Sequence, residues 1–332
     1  MKNNLKHLVL KPTLKCTSNC PTCSLRLDLF KDKQSEKVLS LTKWREVISQ
    51  AKYLGCKNLH ISGGEPLLYN KLIDLIDIGT SNGLTVNLNT NGSLINDKNA
   101  SQMKHARLTS ATVSIYSQKS IIHDQYRGDY GLYDRAINSI DILVKNKITV
   151  YLQTILTNYN IDNFEKIIEL AYYHKANYMV VSYLEGDIEK KWLPTVNQIV
   201  NFKDYLIPII YNIIDSKFER SSGFIAKQKL SRMFKGNAKT AEDFSNGEYF
   251  KAGKPYCSRP NNFALVLSNG DVLPCNGVEY FHTPIIGNIN DNDLVEIWNS
   301  DAWNKFRQER HEWCQLCPMT LHFNFPIHGV PQ

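Results

Sequence analysis

The sequence predicts an α/β fold, a partial (β/α)6 TIM-like barrel followed by a small C-terminal α+β unit of one β-hairpin and a helix, and three observations lead to it. Up to Tyr183, extended apolar segments alternate with segments of helical period, which implies parallel strands joined by right-handed crossovers. Six such strand segments are too few for a closed eight-fold barrel, so an open, curved sheet is the economical arrangement, with its site at the C-terminal ends of the strands. After Glu185 the alternation stops, and a different pattern closes the chain. This divides the sequence into a barrel over 1–195, a helical basic connector over 196–250 and a C-terminal unit over 251–332.

Each element has a local reason. An extended run from Leu8 to Leu14 ends at a group of cysteines, as a strand feeding a functional loop does. Thr42 is a plausible N-cap for a helix through Leu54, with Trp44, Val47, Ile48 and Ala51 at helical spacing and Gly55 closing it. The strand Asn58 to Ser62 follows, then the helix Lys71 to Ser81, the strand Thr85 to Asn89 and the helix Asp97 to His105. The strand Ala111 to Tyr116, the helix Tyr133 to Lys145, the strand Thr149 to Leu156, the helix Ile161 to His174 and the strand Tyr178 to Tyr183 complete the barrel. From Val196 to Ile214 the spacing is helical again. The run Ala264 to Cys275 reads as a hairpin turning at Asn269-Gly270, and Leu294 to Arg307 reads as a helix.

Composition removes several classes. With 332 residues, 42% hydrophobic and 21% charged, the chain can bury a sizeable core, and its 17 glycines and 12 prolines exclude low-complexity or collagen-like sequence. No apolar stretch reaches the ~20 residues of a membrane span, and the N-terminus lacks a signal-peptide pattern, so a cytoplasmic protein without membrane attachment is expected. The net charge of +7 is too small to point to nucleic acid. Most of it sits between Lys217 and Lys239, where seven cations face Glu219 alone, a place to recruit an acidic or phosphorylated substrate if it is not simply a solvated face.

The eight cysteines carry the chemistry. A chain of this size without a signal peptide is not a disulfide scaffold, so spaced cysteines read as metal ligands. Cys16-Thr-Ser-Asn-Cys20-Pro-Thr-Cys23 puts three thiols on the loop after the first strand. Three such ligands can hold three corners of a [4Fe-4S] cluster and leave one iron open, and a zinc site with a distant fourth ligand is the competing reading. At the end of the second strand stands Gly63-Gly64-Glu65-Pro66, where glycines let the backbone approach a ligand and a carboxylate can accept from an ammonium group.

CxxxCxxC after the first strand with GGEP after the second resembles the radical S-adenosylmethionine (radical SAM) superfamily. The resemblance implies that Cys16, Cys20 and Cys23 ligate a [4Fe-4S] cluster, that S-adenosylmethionine chelates its open iron, and that Glu65 with the backbone of Gly63 and Gly64 holds the cofactor's amine, beside Pro66. It also implies reductive cleavage to a 5′-deoxyadenosyl radical, hydrogen abstraction from the substrate, and a reducing flavodoxin or ferredoxin as electron source. Asn91 and Ser114, at the ends of the third and fourth strands, are candidate cofactor contacts. Thr22 stands where many members have an aromatic residue, and His123-Asp-Gln-Tyr-Arg127-Gly128 resembles a loop of members with a C-terminal cluster domain.

Cys257, Cys275, Cys314 and Cys317 form a second group, for which zinc and iron-sulfur compete on spacing alone. The pattern resembles SPASM and twitch domains, which implies one auxiliary [4Fe-4S] cluster fully ligated by four thiolates. Its spacing is close to that of a twitch dehydrogenase acting on an aminocyclitol. Cys56, the remaining cysteine, sits before the second strand and away from the site, which disfavours an epimerase that needs a thiol hydrogen donor. Glu185 is the candidate proton acceptor, and the short stretch ahead of the first strand argues against a peptide-recognition segment. The expectation is therefore a radical SAM dehydrogenase of a polar small molecule, sugar or aminocyclitol, with peptide modification or epimerisation as the alternative and a zinc-binding non-enzyme as a distant one.

Overall fold

The computed structural model describes residues 4–23, 38–183, 190–218, 227, 230, 240–247, 258–275 and 284–309. Its first part is the predicted alternation: β1 (His7–Lys11), α1 (Leu41–Tyr53), β2 (Asn58–Ile61), α2 (Leu72–Ser81), β3 (Thr85–Thr90), α3 (Asp97–His105), β4 (Ser110–Ser114), α4 (Ser120–Arg127), α5 (Leu132–Lys145), β5 (Thr149–Leu156), α6 (Phe164–Tyr173) and β6 (Asn177–Tyr183). The strands β1 to β6 pair in order and in parallel. Then come α7 (Val196–Asn201), α8 (Ile207–Lys217), α9 (Ala241–Ser245), β7 (Phe263–Leu267), β8 (Asp271–Leu273), β9 (Gly287–Asn288), α10 (Leu294–Asn299) and α11 (Asp301–Gln308).

Strand period explains why the sheet has two unlike faces. Leu8, Leu10, Leu59, Ile61, Val86 and Leu88 point to the helix-covered side and belong to the main core with Trp44, Leu75 and Phe164. Truncating the fully buried Trp44 to alanine there costs about 3–5 kcal/mol. The alternating positions His7, Lys11, His60, Asn87 and Asn89 lie on the concave face, which is polar over β1 to β3. Burial holds the His60 imidazole neutral, with its pKa lowered to about 3.

The C-terminal hairpin does not stand apart from the barrel sheet. The strand β7 pairs in parallel with all of β1, from His7 against Phe263 to Lys11 against Leu267, and β8 and β9 extend the sheet antiparallel. The nine-stranded order is β6-β5-β4-β3-β2-β1-β7-β8-β9, which makes β1 an interior strand. The Leu294 N–H donates to the Gln50 side chain of α1 at 2.7 Å, so α10 is tied to the barrel as well.

Several boundaries differ from the pattern reading, each for a local reason. The N-cap of α1 is Ser40, whose hydroxyl accepts from the Lys43 N–H at 3.2 Å, not Thr42. The helical run after Val196 contains a π turn over Phe202–Leu206, just before Pro208, which has no N–H to continue the ladder. The helix expected from Leu294 to Arg307 is two helices, because Ser300 caps the second through its hydroxyl. Among the described residues no helix is long and apolar enough to cross a membrane.

Candidate active site

Beyond β1 the chain crosses the C-terminal end of the sheet as the loop carrying Cys16, Cys20 and Cys23, and the turn after β2 lies directly against it. Gly64 donates its N–H to the Thr13 carbonyl at 3.0 Å, and Glu65 donates to Lys15 at 2.8 Å. A Cβ on Gly64 would stand 2.0 Å from the Lys15 oxygen, and one on Gly63, whose φ is +137°, 2.3 Å from the Thr13 oxygen. Both glycines are thus required by loop-on-loop packing, a use different from the approach to a ligand that the sequence suggested. Among the described residues neither glycine carbonyl accepts a hydrogen bond.

Glu65 is fully buried, and its carboxylate turns into the protein. One oxygen accepts from the Thr90 hydroxyl at 2.8 Å and the Leu67 N–H at 3.2 Å, the other from the Asn91 N–H at 2.8 Å. Three of the roughly four acceptor positions of a carboxylate are therefore filled by the chain itself. Burial raises the Glu65 pKa, against the opposing pull of these donors and of Arg127. Pro66 is buried and opens the short 3₁₀ turn Pro66–Leu68, where its missing N–H costs nothing. Glu65 joins the ends of β2 and β3.

Asn91 carries that connection to the cysteine loop. Its side-chain amide donates to Thr17 and Ser18 hydroxyls, each at 2.9 Å, and lies 3.9 Å from the Cys16 sulfur, while its carbonyl accepts from the Ser93 N–H at 2.8 Å. The Thr17 and Ser93 hydroxyls meet at 2.9 Å. Asn91, expected from the sequence as a cofactor contact, lies beside the cysteines and holds their loop.

A second hold comes from the second half of α4 and the Gly128 that caps it, the segment His123 to Gly128. His123 is fully buried and its Nδ1 accepts from the Tyr116 N–H at 3.1 Å, which leaves the ring proton on Nε2. Asp124 accepts from the N–H groups of Gly131 and Tyr133 and so fixes the start of α5. The Tyr126 hydroxyl bonds that of Thr22, placing an aromatic ring next to the loop position that lacks one. The Arg127 carbonyl accepts from the Asn19 N–H at 2.8 Å and lies 3.8 Å from the Cys20 sulfur. Its guanidinium stacks over Tyr116, 4.9 Å from the ring centre. Desolvation opposes the Arg127 charge, but Cys20, Tyr116, Cys16 and Cys23 outweigh it and raise the pKa. The Cys16 thiol is pushed up by its own burial, with Ser18 and Arg127 pulling the other way.

Ser114 ends β4 opposite Gln153, close to the Tyr116 phenol, whose pKa burial pushes up to about 12. Cys56 lies at the far end of the strands, buried, with its sulfur 3.3 Å from the Asn58 carbonyl and its pKa raised by burial to about 12. Cys275 and Cys23 both pack against the same small apolar group on the concave side, formed by Val9, Leu14, Phe263, Leu265, Leu267 and Leu273. Glu185, Cys257, Cys314, Cys317 and the tail His322 to His328 lie outside the described residues, as does most of the stretch Lys217 to Lys239. Of that stretch, Lys217 pairs with Glu169 at 3.4 Å and Lys227 pairs with Asp215. Sequence reasoning passed over Thr90, Tyr116 and Tyr126 as site residues, and the only signal for Arg127 was the loop resemblance.

The radical SAM superfamily model matches residues 10–171, and a model of the SPASM iron-sulfur cluster-binding domain matches residues 257–318. This chain is a radical SAM enzyme. It works with S-adenosylmethionine and [4Fe-4S] clusters, one for the cofactor and one in the C-terminal domain. The donor set fits: three thiols share one loop, that loop is held from two sides, and a buried cation stands beside it. The chain is 27% identical over 312 residues to the PqqA peptide cyclase of Rhizobium meliloti (strain 1021), covering 92% of this chain and 77% of that one. Its fold matches Streptococcus suis SuiB bound to precursor peptide SuiA, with a TM-score of 0.70 at 18% identity over 95% of this chain and 71% of that one. It also matches anSMEcpe with bound AdoMet and Cp18Cys peptide, with a TM-score of 0.65 at 17% identity over 95% and 86%.

These relatives overturn the expected sugar or aminocyclitol substrate and the small-molecule partner. The expectation rested on the spacing of the second cysteine group and on the lack of a spare thiol near the site. Those features govern how a cluster is ligated and how a radical is quenched. They do not encode the shape of the substrate.

Proposed function

We propose that this radical SAM enzyme modifies a peptide, abstracting hydrogen from a residue held on the concave face of the sheet. The observation that carries the reading is the likeness to a peptide cyclase along 92% of the chain. The concave face supports it. The Asn87 side-chain nitrogen and the Asn89 side-chain oxygen are buried without a hydrogen-bond partner among the described residues, one donor and one acceptor two positions apart on β3. A peptide group offers the complementary acceptor and donor.

In this reading Cys16, Cys20 and Cys23 ligate the cofactor's cluster, and the Gly63 and Gly64 carbonyls accept from the cofactor's ammonium group. Glu65 braces the turn that presents those carbonyls, Asn91 fixes the cysteine loop, and Ser114 orients Tyr116 beside it. Cys275 with Cys257, Cys314 and Cys317 ligates the auxiliary cluster. When bound, the reduced cluster and S-adenosylmethionine supply a carbon radical able to take hydrogen from an unactivated C–H. The protein's residues position the peptide and keep water from that radical. The net change we infer is oxidative: Cys56, buried at the opposite end of the strands with its thiol pushed up to about 12, is not placed to return hydrogen. One hydrogen atom would leave in 5′-deoxyadenosine, the remaining electron would pass to the auxiliary cluster that Cys275 helps to ligate, and the proton would go to solvent.

The test is anaerobic reconstitution, where two clusters give about eight irons per chain, followed by turnover with candidate peptides, above all those encoded beside the gene. A peptide that loses two hydrogens in mass while 5′-deoxyadenosine accumulates supports the reading. Cys16→Ala should abolish both. Turnover of a sugar or aminocyclitol panel with no peptide accepted would overturn it.

A further inference from the structure

We propose that Arg127 is the fixed counter-charge of the three-cysteine site, a positioning residue whose guanidinium sets how readily the cluster held by Cys16, Cys20 and Cys23 accepts an electron. This rests on the ligation just proposed for those cysteines. It adds a residue outside the cysteine and glycine motifs.

The geometry leaves Arg127 little freedom. It ends α4, is 7% exposed, and its carbonyl is bound by the Asn19 N–H of the cysteine loop at 2.8 Å. The next residue, Gly128, has φ +59°, and a Cβ there would stand 2.8 Å from the Asn19 oxygen, so main chain meets main chain at this point. The side chain is turned inward over Tyr116, and its Nε is buried without a hydrogen-bond partner among the described residues. No described carboxylate forms an ion pair with it; Glu65 attracts it without touching it, and the charges that act on it most are those of Cys20, Tyr116, Cys16 and Cys23.

A buried cation without a paired anion is costly. Three thiolates around an iron-sulfur core provide the missing negative charge. Reduction adds one electron to that core and breaks no bond, the electron coming from a low-potential donor. A cation fixed close by favours the more negative, reduced state and raises the potential at which it forms. Arg127 thus does for the cluster what a neutral side chain in its place could not.

The measurement is a redox titration followed by electron paramagnetic resonance on the full chain, reconstituted anaerobically, for wild type, Arg127→Gln and Arg127→Lys. The signal that changes on adding S-adenosylmethionine identifies the relevant cluster. The expected result is that Arg127→Gln keeps the wild-type iron content but titrates at a more negative potential, with Arg127→Lys recovering at least half the shift. Retention of the cluster by the lysine variant alone would also support a charge role. A wild-type potential in Arg127→Gln overturns the proposal, and so does equal loss of the responsive signal in both variants, which would make the role one of shape. Survival of that signal in Cys16→Ala would instead defeat the ligation reading, so the two failures are told apart.

Discussion

The cysteine loop is held from two sides by unlike chemistry. On the β3 side the contacts to the loop are neutral, with Asn91 binding Thr17 and Ser18 while Glu65 anchors Asn91 from behind. On the α4 side the contacts are main-chain and aromatic, and they bring a cation: Arg127 binds Asn19 through its carbonyl and stacks on Tyr116. The difference suggests a division of work. Hydrogen bonds from Asn91 fix where the loop and its sulfurs are, and the buried guanidinium adds a full positive charge beside them without being needed for the loop's outline.

The largest effect that would sharpen this comparison is on the β3 side. Glu65→Ala leaves the Leu67 N–H, the Thr90 hydroxyl and the Asn91 N–H without an acceptor in a buried place, at about 3–5 kcal/mol. Glu65→Gln keeps one acceptor oxygen and should cost about 1–2 kcal/mol. Urea unfolding of the reconstituted enzyme measures both, and equal losses would mean that the carboxylate is not the brace described.

Next in size is a pH effect on the α4 side. The His123 pKa is lowered to about 3 by burial, with Arg127 adding to it, whereas the unfolded side chain titrates near 6.5. Below pH 6.5 the unfolded state binds a proton that the folded state refuses, so stability falls as pH falls, down to about pH 3. Between pH 7.5 and 5 this loss is about 2 kcal/mol, and His123→Asn, which retains an acceptor near Nδ1, should lose less by that amount. An unchanged pH slope in the variant would remove His123 from the account.

The smallest expected effect is that of Asn91→Ala, about 1 kcal/mol of stability with a lower iron content after reconstitution. Loss of the long contact to the Cys16 sulfur should move the cluster's potential much less than loss of the Arg127 charge. A shift as large as that of Arg127→Gln would break the distinction between the two holds.

Much of this was legible in the sequence. The alternation of strand and helix, the cysteine loop after the first strand and the GGEP turn after the second all follow from short-range period and from ligand chemistry. The position of Asn91 at the rim was legible too, because it directly follows a strand, whereas its hold on Thr17 and Ser18 was not. Glu65 was read as a residue facing the cofactor, since a carboxylate beside two glycines shows no direction in a sequence. Its direction is set by Thr90 and Asn91, 25 and 26 residues further on. The aromatic ring beside Thr22 comes from Tyr126, 104 residues away, and nothing in the loop itself announces it.

By itself the sequence determined the repeating βα architecture, the two groups of thiols and the class of chemistry they support, because periodicity and ligand type are local properties. Only the tertiary structure decided that β1 is an interior strand with β7 at its side, that Glu65 faces inward, and that Arg127 lies beside Cys16, Cys20 and Cys23. Those outcomes depend on which segments meet when the curved sheet forms and its helices pack. Contacts across a hundred residues leave no mark on the spacing of either partner.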